Sequence, residues 1–114
     1  DSSGLCIFTT FAWGLQDLAP QMAAACGDEY TVDELAKIGE RIWNMEREFN
    51  NRAGFTAKDD SLPARLTTAE GACKTGPAKG KFNMLAEMMP KYYAARGWDS
   101  EGRPTAETRA RLGL

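Results

Sequence analysis

The run Asp1-Ser2-Ser3-Gly4-Leu5-Cys6 sets a carboxylate and a thiol one tight bend apart. A thiolate is the soft ligand of iron–sulfur and zinc chemistry and the nucleophile of redox chemistry. A rigidly held carboxylate accepts hydrogen bonds from the amino and ring N–H groups of a heterocycle. One cysteine supplies one ligand, however, and the other two stand far off at Cys26 and Cys73, with no Cys-x-x-Cys pair. The run therefore reads as one piece of a larger site. The competing reading of Cys6, beside Ile7 and Phe8, is a small buried hydrophobe. Cys26, in an Ala-rich run, and Cys73, in a loop, fit that reading or simple exposure better. For Asp1 taken by itself the competing reading is a solvated terminus.

The remaining candidates for chemistry are weaker. Asp59-Asp60 and Glu46-Arg47-Glu48 pair acids in ways that metals use, but paired acids at turns and helix ends are mostly solvated or capping groups. Lys74, Lys79 and Lys81 around Gly76 and Gly80 invite a phosphate loop, yet the Gly-x-x-x-x-Gly-Lys-[Ser/Thr] order is absent. Trp43, Tyr92, Tyr93 and Trp98 read as packing aromatics. Histidine is absent, which removes the commonest general base, metal ligand and partner for a Ser or Cys nucleophile. Self-contained hydrolytic catalysis is not the expectation on that ground.

The elements that must hold these groups are helical. The chain has 114 residues, the length of one domain with a modest core, and a single helical domain over 1–114 is the expectation. Charged residues make up 26% at a net charge of −2, so no cationic field calls for nucleic acid or an anionic membrane. No apolar run is long enough to span a bilayer, and unpaired cysteines suit a reducing, cytoplasmic setting. The chain opens on Asp inside a functional-looking turn, which predicts a piece of a longer polypeptide.

From Leu5 to Ala19 the chain is apolar and aromatic, which predicts a buried, helical segment up to Pro20, although Thr9-Thr10 and Gly14 weaken a helix. Gln21 to Cys26 continues it and Gly27-Asp28 closes it. Thr31-Val-Asp-Glu34 is a capping box. Leu35, Ile38, Ile42, Met45 and Phe49 then recur at 3-4 spacing, predicting a long amphipathic helix over about 32–52 with that stripe covered and Asp33, Lys37, Glu40, Arg41, Arg47 and Glu48 on its flanks and far side. Ser61 and Pro63 predict a short helical turn, and residues 67–81 a surface loop. Met84 to Arg96 is helical again, either kinked at Pro90 or restarted there. Gly97 ends it, and Thr105 caps a last short helix before Gly113. The fold class is all-α, a small irregular helical bundle.

Read together, these stretches resemble the C-terminal portion of the aldehyde ferredoxin oxidoreductase family, the tungsten-pterin enzymes. Asp1-Ser-Ser-Gly-Leu-Cys6 with Phe8 is similar to the family's Asp-x-x-Gly-Leu-Cys motif. Ile38-Gly-Glu-Arg-Ile-Trp43 with Glu46, Arg47, Phe49 and Asn50 is similar to its long helix, and Arg52-Ala-Gly-Phe55, Asp59-Asp-Ser-Leu-Pro63 with Arg65, Gly76-Pro-Ala-Lys-Gly80 and Tyr92-Tyr93 through Arg96-Gly-Trp98 follow in family order. Two features depart from it: Pro90 within a helix, and the loop around Cys73.

The resemblance implies a domain of a larger oxidoreductase that converts aldehydes to carboxylic acids with a tungsten (or molybdenum) bis-pterin and a [4Fe–4S] cluster, passing electrons to ferredoxin. Cys6 would be the cluster's last thiolate ligand, with the other three upstream, and would sit against a pterin together with Gly4 and Leu5. Asp1 would hydrogen-bond the pterin's nitrogens. Upstream domains of the same polypeptide, ferredoxin and a small aldehyde are the implied partners, and a second copy in a homo-oligomer is a further candidate. The fragment alone should be inactive, and its surface around residues 1–15 unusually apolar. The rival readings are a tungsten-dependent aromatic acyl-CoA reductase subunit and a cofactor-free helical interaction module.

Overall fold

A computed structural model describes residues 2–114; Asp1 lies outside the described residues. The described residues are helical, as expected: a 3-10 turn at Ile7–Phe11, α1 (Leu15–Cys26), α2 (Val32–Arg52), α3 (Ala64–Thr67), a 3-10 turn at Ala69–Gly71, α4 (Leu85–Arg96) and α5 (Ala106–Leu112). Their one β-type pairing is an isolated antiparallel bridge between Trp98 and Pro104. No helix among them is long and apolar enough to cross a membrane. The described residues gather into two compact units, one of residues 2–46 with 112–114, the other of residues 47–111.

In the first unit the Thr9-Thr10 pair decides the local geometry. Each hydroxyl donates to the carbonyl three residues back, Thr9 to Cys6 at 2.8 Å and Thr10 to Ile7 at 2.7 Å. Side chains that bond i−3 carbonyls offer the backbone a tighter path than the α-helix, and the segment folds as a 3-10 turn. The buried segment expected here is instead open. Phe8 and Phe11 stack at 5.8 Å yet are 72% and 86% exposed. The reason is that the burial of an apolar run depends on a covering surface, which the run does not itself encode. The apolar face expected around residues 1–15 is thus present, from Leu5 through Leu15.

α1 starts at Gly14, whose N–H donates to Asp17 Oδ2 at 2.8 Å. It runs through Pro20, and α4 likewise runs through Pro90 without a restart. Each proline removes one backbone bond, to the carbonyls of Gln16 and Ala86. Both of those residues are exposed, so water can donate in its place.

The capping box of α2 is formed in both directions: Thr31 N–H donates to Glu34 Oε2 at 2.8 Å, and Glu34 N–H to Thr31 Oγ1 at 3.2 Å. These bonds hold the Glu34 carboxyl below its usual range, the backbone bond first. The helix bounds match expectation, but the covered face does not. Ile38, Met45 and Phe49 of the predicted stripe are exposed, and so is Trp43, while Asn44 and Arg47 are buried. A helix can bury polar groups when each finds a partner. Asn44 donates to Glu40 O at 2.9 Å, and Arg47 finds the partners described below.

The second unit is organised by the end of α4. Gly97 takes a left-handed turn, with Trp98 N–H donating to Tyr93 O at 2.9 Å and Gly97 N–H to Ala94 O at 3.1 Å, the paired bonds of a Schellman motif. Trp98 is thereby thrown back against Tyr92 and Tyr93, at 5.6 and 5.8 Å between ring centroids. Tyr93, Trp98, Pro104 and Thr108 are buried there, as the packing reading of these aromatics requires. Thr105 caps α5 as expected, accepting from Thr108 N–H at 3.2 Å. The loop expected over 67–81 begins one residue later, after Thr67 ends α3, and is relieved by its short 3-10 turn.

Candidate functional site

Gly4 to Cys6 carry the chemistry legible in the sequence. Gly4 has φ +80, a left-handed conformation that a residue with a Cβ adopts only at a cost, and it bends the chain between the serines and Leu5. Leu5 N–H donates to Ser3 Oγ at 3.3 Å, closing the bend. Cys6 then leaves it in extended backbone, φ −65 and ψ 133, as the cap of the 3-10 turn. Its carbonyl is held twice, by Thr9 N–H at 3.0 Å and by the Thr9 hydroxyl. The backbone of Cys6 is thus fixed while its thiol is exposed and free.

A cleft of about 380 Å³ opens beside it, lined by Ser3, Leu5, Cys6, Thr10 and Trp13 among others. The small buried hydrophobe, the competing reading of Cys6, is therefore not what the structure shows. Asp1 lies outside the described residues. Cys26 and Cys73 are also exposed and free. No group of three or more His, Cys, Asp or Glu side chains among the described residues is placed to hold a metal ion. This arrangement fits a residue that donates one thiolate to a group completed by other ligands. It does not fit a self-sufficient metal centre, at Cys6 or at Asp59-Asp60.

A second polar constellation escaped sequence reasoning. Arg47, taken from the helical pattern as flanking or far-side, is buried, and its guanidinium grips Asp60 with two bonds, at 2.8 and 2.6 Å. Its Nε donates to Gly102 O at 2.6 Å, and its plane lies 4.8 Å from the centre of the Trp98 ring. The Tyr93 hydroxyl donates to the same carboxylate. Asp60, which sequence composition assigned to a solvated turn, is therefore the acceptor that joins α2 to α4, and Arg47 carries the link on to the turn at Gly102.

The charges answer one another. The Arg47 bonds hold the Asp60 carboxyl below its ordinary value, with the Tyr93 hydrogen bond assisting. Burial, followed by the Asp60 bond, pushes the Tyr93 phenol up to about 12. Because Arg47 donates to Asp60, its own value rises further. Only a 13-residue and a 33-residue separation link these groups in the sequence, so no local pattern announces them.

Gly102 completes the cluster. Its φ is +72, and a Cβ there would lie 2.0 Å from Arg47 Nη2. Arginine tips usually yield, but this one is held by a bidentate pair. Gly102→Ala is expected to destabilise the protein by about 1–3 kcal/mol, through backbone strain and displacement of the guanidinium. A denaturant midpoint unchanged from wild type would contradict that account of the cluster.

The family resemblance read from the sequence is matched by comparison with known proteins. The family model described as "Aldehyde ferredoxin oxidoreductase, domains 2 & 3" matches residues 1–114. The tungsten-containing aldehyde ferredoxin oxidoreductase of Pyrococcus horikoshii is 47% identical over 115 residues, covering 100% of this chain and 19% of the relative. Those of Pyrococcus furiosus and Thermococcus kodakarensis are 46% and 45% identical with the same coverage. The chain thus spans about a fifth of the length of these curated relatives, 19%. Since the family model covers every residue and nearly half of the positions are identical to those of its relatives, this chain belongs to the aldehyde ferredoxin oxidoreductase family.

Proposed function

We propose that the full-length protein is a tungsten-pterin, iron–sulfur oxidoreductase that converts an aldehyde and water into a carboxylic acid, two protons and two electrons, the electrons going one at a time to ferredoxin. The observation that carries this reading is the exposed Cys6 thiol, held at the rim of a cleft on a fixed backbone, in a chain of this family. The names of the relatives supply tungsten, aldehyde and ferredoxin.

When bound, the pterin-held metal supplies the two-electron oxidation and a [4Fe–4S] cluster the single-electron relay. Cys6 would hold the cluster as one thiolate, with its remaining ligands outside this chain. Gly4 and Leu5, with Asp1, would form the wall against the pterin. The Thr9 bonds to the Cys6 carbonyl keep the ligand from swinging, a support of the kind that orients metal ligands elsewhere. Three free cysteines agree with a reducing, cytoplasmic setting.

Anaerobic purification of the full-length protein is expected to yield tungsten, about four irons per chain and aldehyde-dependent reduction of a viologen dye. The 114-residue chain alone is expected to show no such activity, because it brings a single cysteine to the cluster. Full-length protein without metal and without aldehyde oxidation would overturn the proposal, and activity in the isolated chain would overturn the division of labour.

A further inference from the structure

α2 meets its own chain with the side that an amphipathic helix ordinarily gives to water. At about 100° per residue, Ile38, Ile42, Met45 and Phe49 fall within an arc of about 60°, and Arg47 lies nearly opposite. The buried residues of the helix are Asn44 and Arg47, and the guanidinium is fastened there by Asp60 and Gly102. The apolar arc faces away from those partners. Ile38 is 42% exposed, Met45 53% and Phe49 74%, with Ile42 half-buried between them.

Single exposed apolar side chains are ordinary on a protein surface, but a continuous row of them on one rigid element marks an interaction surface. From Ile38 to Phe49 the row runs for about 16 Å, and its 3-4 spacing forms the kind of ridge that packs into the groove of a facing element. Its rigidity comes from the polar side, where the two-pronged Arg47 grip on Asp60 fixes the C-terminal half of the helix.

The length of the relatives identifies the occupant. This chain covers 19% of each, so about four-fifths of their length lies outside the matched residues. A surface joined covalently to this chain meets the arc at an effective concentration on the order of millimolar, which favours it over a free second copy.

We propose that the apolar arc of α2 is an internal domain interface, covered in the full-length protein by an apolar surface of the polypeptide outside these 114 residues. α2 is then a helix enclosed on both sides, polar toward this chain and apolar toward the remainder. The inference uses the length of the relatives and not the reaction, so it stands or falls separately from the oxidoreductase reading.

The test uses the full-length protein carrying the photoreactive substitution Phe49→p-benzoylphenylalanine, irradiated at several protein concentrations, digested and mapped by mass spectrometry. The expected product is a cross-link from position 49 to a residue of the same polypeptide outside this chain, in a yield independent of concentration. A cross-linked dimer whose yield rises with concentration would assign the arc to a second copy and overturn the proposal, as would cross-links confined to these 114 residues or absent altogether. Met45→Cys serves if the bulky ketone impairs folding. Its thiol, followed at its own peptide, is expected to react with a maleimide at least about tenfold more slowly in native than in denatured full-length protein, and equally so on dilution. Reaction at the denatured rate, or protection lost on dilution, would overturn the proposal too.

Discussion

Cys6→Ala in the full-length protein is expected to lose essentially the whole cluster, about four irons per chain, and with it aldehyde-dependent reduction of ferredoxin. The side chain is exposed and makes no disulfide. Loss of iron in a variant that stays soluble and folded would report ligation and not unfolding. The bonds that shape the turn go to the Cys6 carbonyl and survive the substitution. Cys26→Ala and Cys73→Ala are the controls. Both thiols are exposed and outside any disulfide, so thiol accessibility alone predicts the same loss at all three, whereas ligation by Cys6 predicts it at one. Iron and visible absorbance retained by Cys6→Ala would remove the cluster from this chain, and the helical interaction module would regain its place.

The contrast between this site and the rest of the molecule shows what a sequence makes legible. Gly4 and Cys6 are neighbours along the chain, so the bend that presents the thiol could be read from six residues. The same holds for α2, where Thr31 and Glu34 lie within one turn and the reciprocal bonds follow from their spacing. Which side of α2 is covered is a different kind of fact. Ile38, Met45 and Phe49 form a clean apolar stripe, yet Asn44 and Arg47 are the residues taken from solvent. Helical periodicity shows that a face exists but not what lies against it, and the partners of Arg47 come from Asp60 and Gly102, far along the chain. Pro20 misled as an end signal, whereas at Pro90 the helix runs on, one of the two alternatives, since a helix in an exposed setting can give one carbonyl to water.

The long-range cluster carries the second large effect. Asp60→Ala is expected to destabilise the protein by about 2–4 kcal/mol, because it leaves the Arg47 guanidinium buried without its counter-charge. The side chain of Arg47 is 10% exposed and that of Asp60 23%, so water screens part of the interaction and holds the loss below that of a fully enclosed pair. Removing one partner and removing both should differ. The double variant R47M/D60L leaves no orphaned charge and is expected to be more stable than Asp60→Ala, although Gly102 O loses its donor. Denaturant midpoints of the two variants check this, and a single variant within about 0.5 kcal/mol of wild type would show that the pair does not hold the unit together.

The pH dependence has a fixed sign. Asp60 is depressed below its ordinary 3.8, so its contribution is present at neutral pH and is lost as pH falls through its lowered folded value. Tyr93 is raised from 10.0 to about 12, so its contribution is intact below pH 10.0 and is lost as pH climbs toward about 12. Wild type should therefore lose stability at both ends of the range. Asp60→Ala should flatten the acid limb, because its titrating carboxylate is gone. The alkaline limb should persist in weakened form, since burial is the larger cause of the Tyr93 shift and the Asp60 bond the next. An acid limb that is unchanged in the variant would place the titrating group elsewhere and leave the Arg47–Asp60 pair a geometric contact without energetic weight.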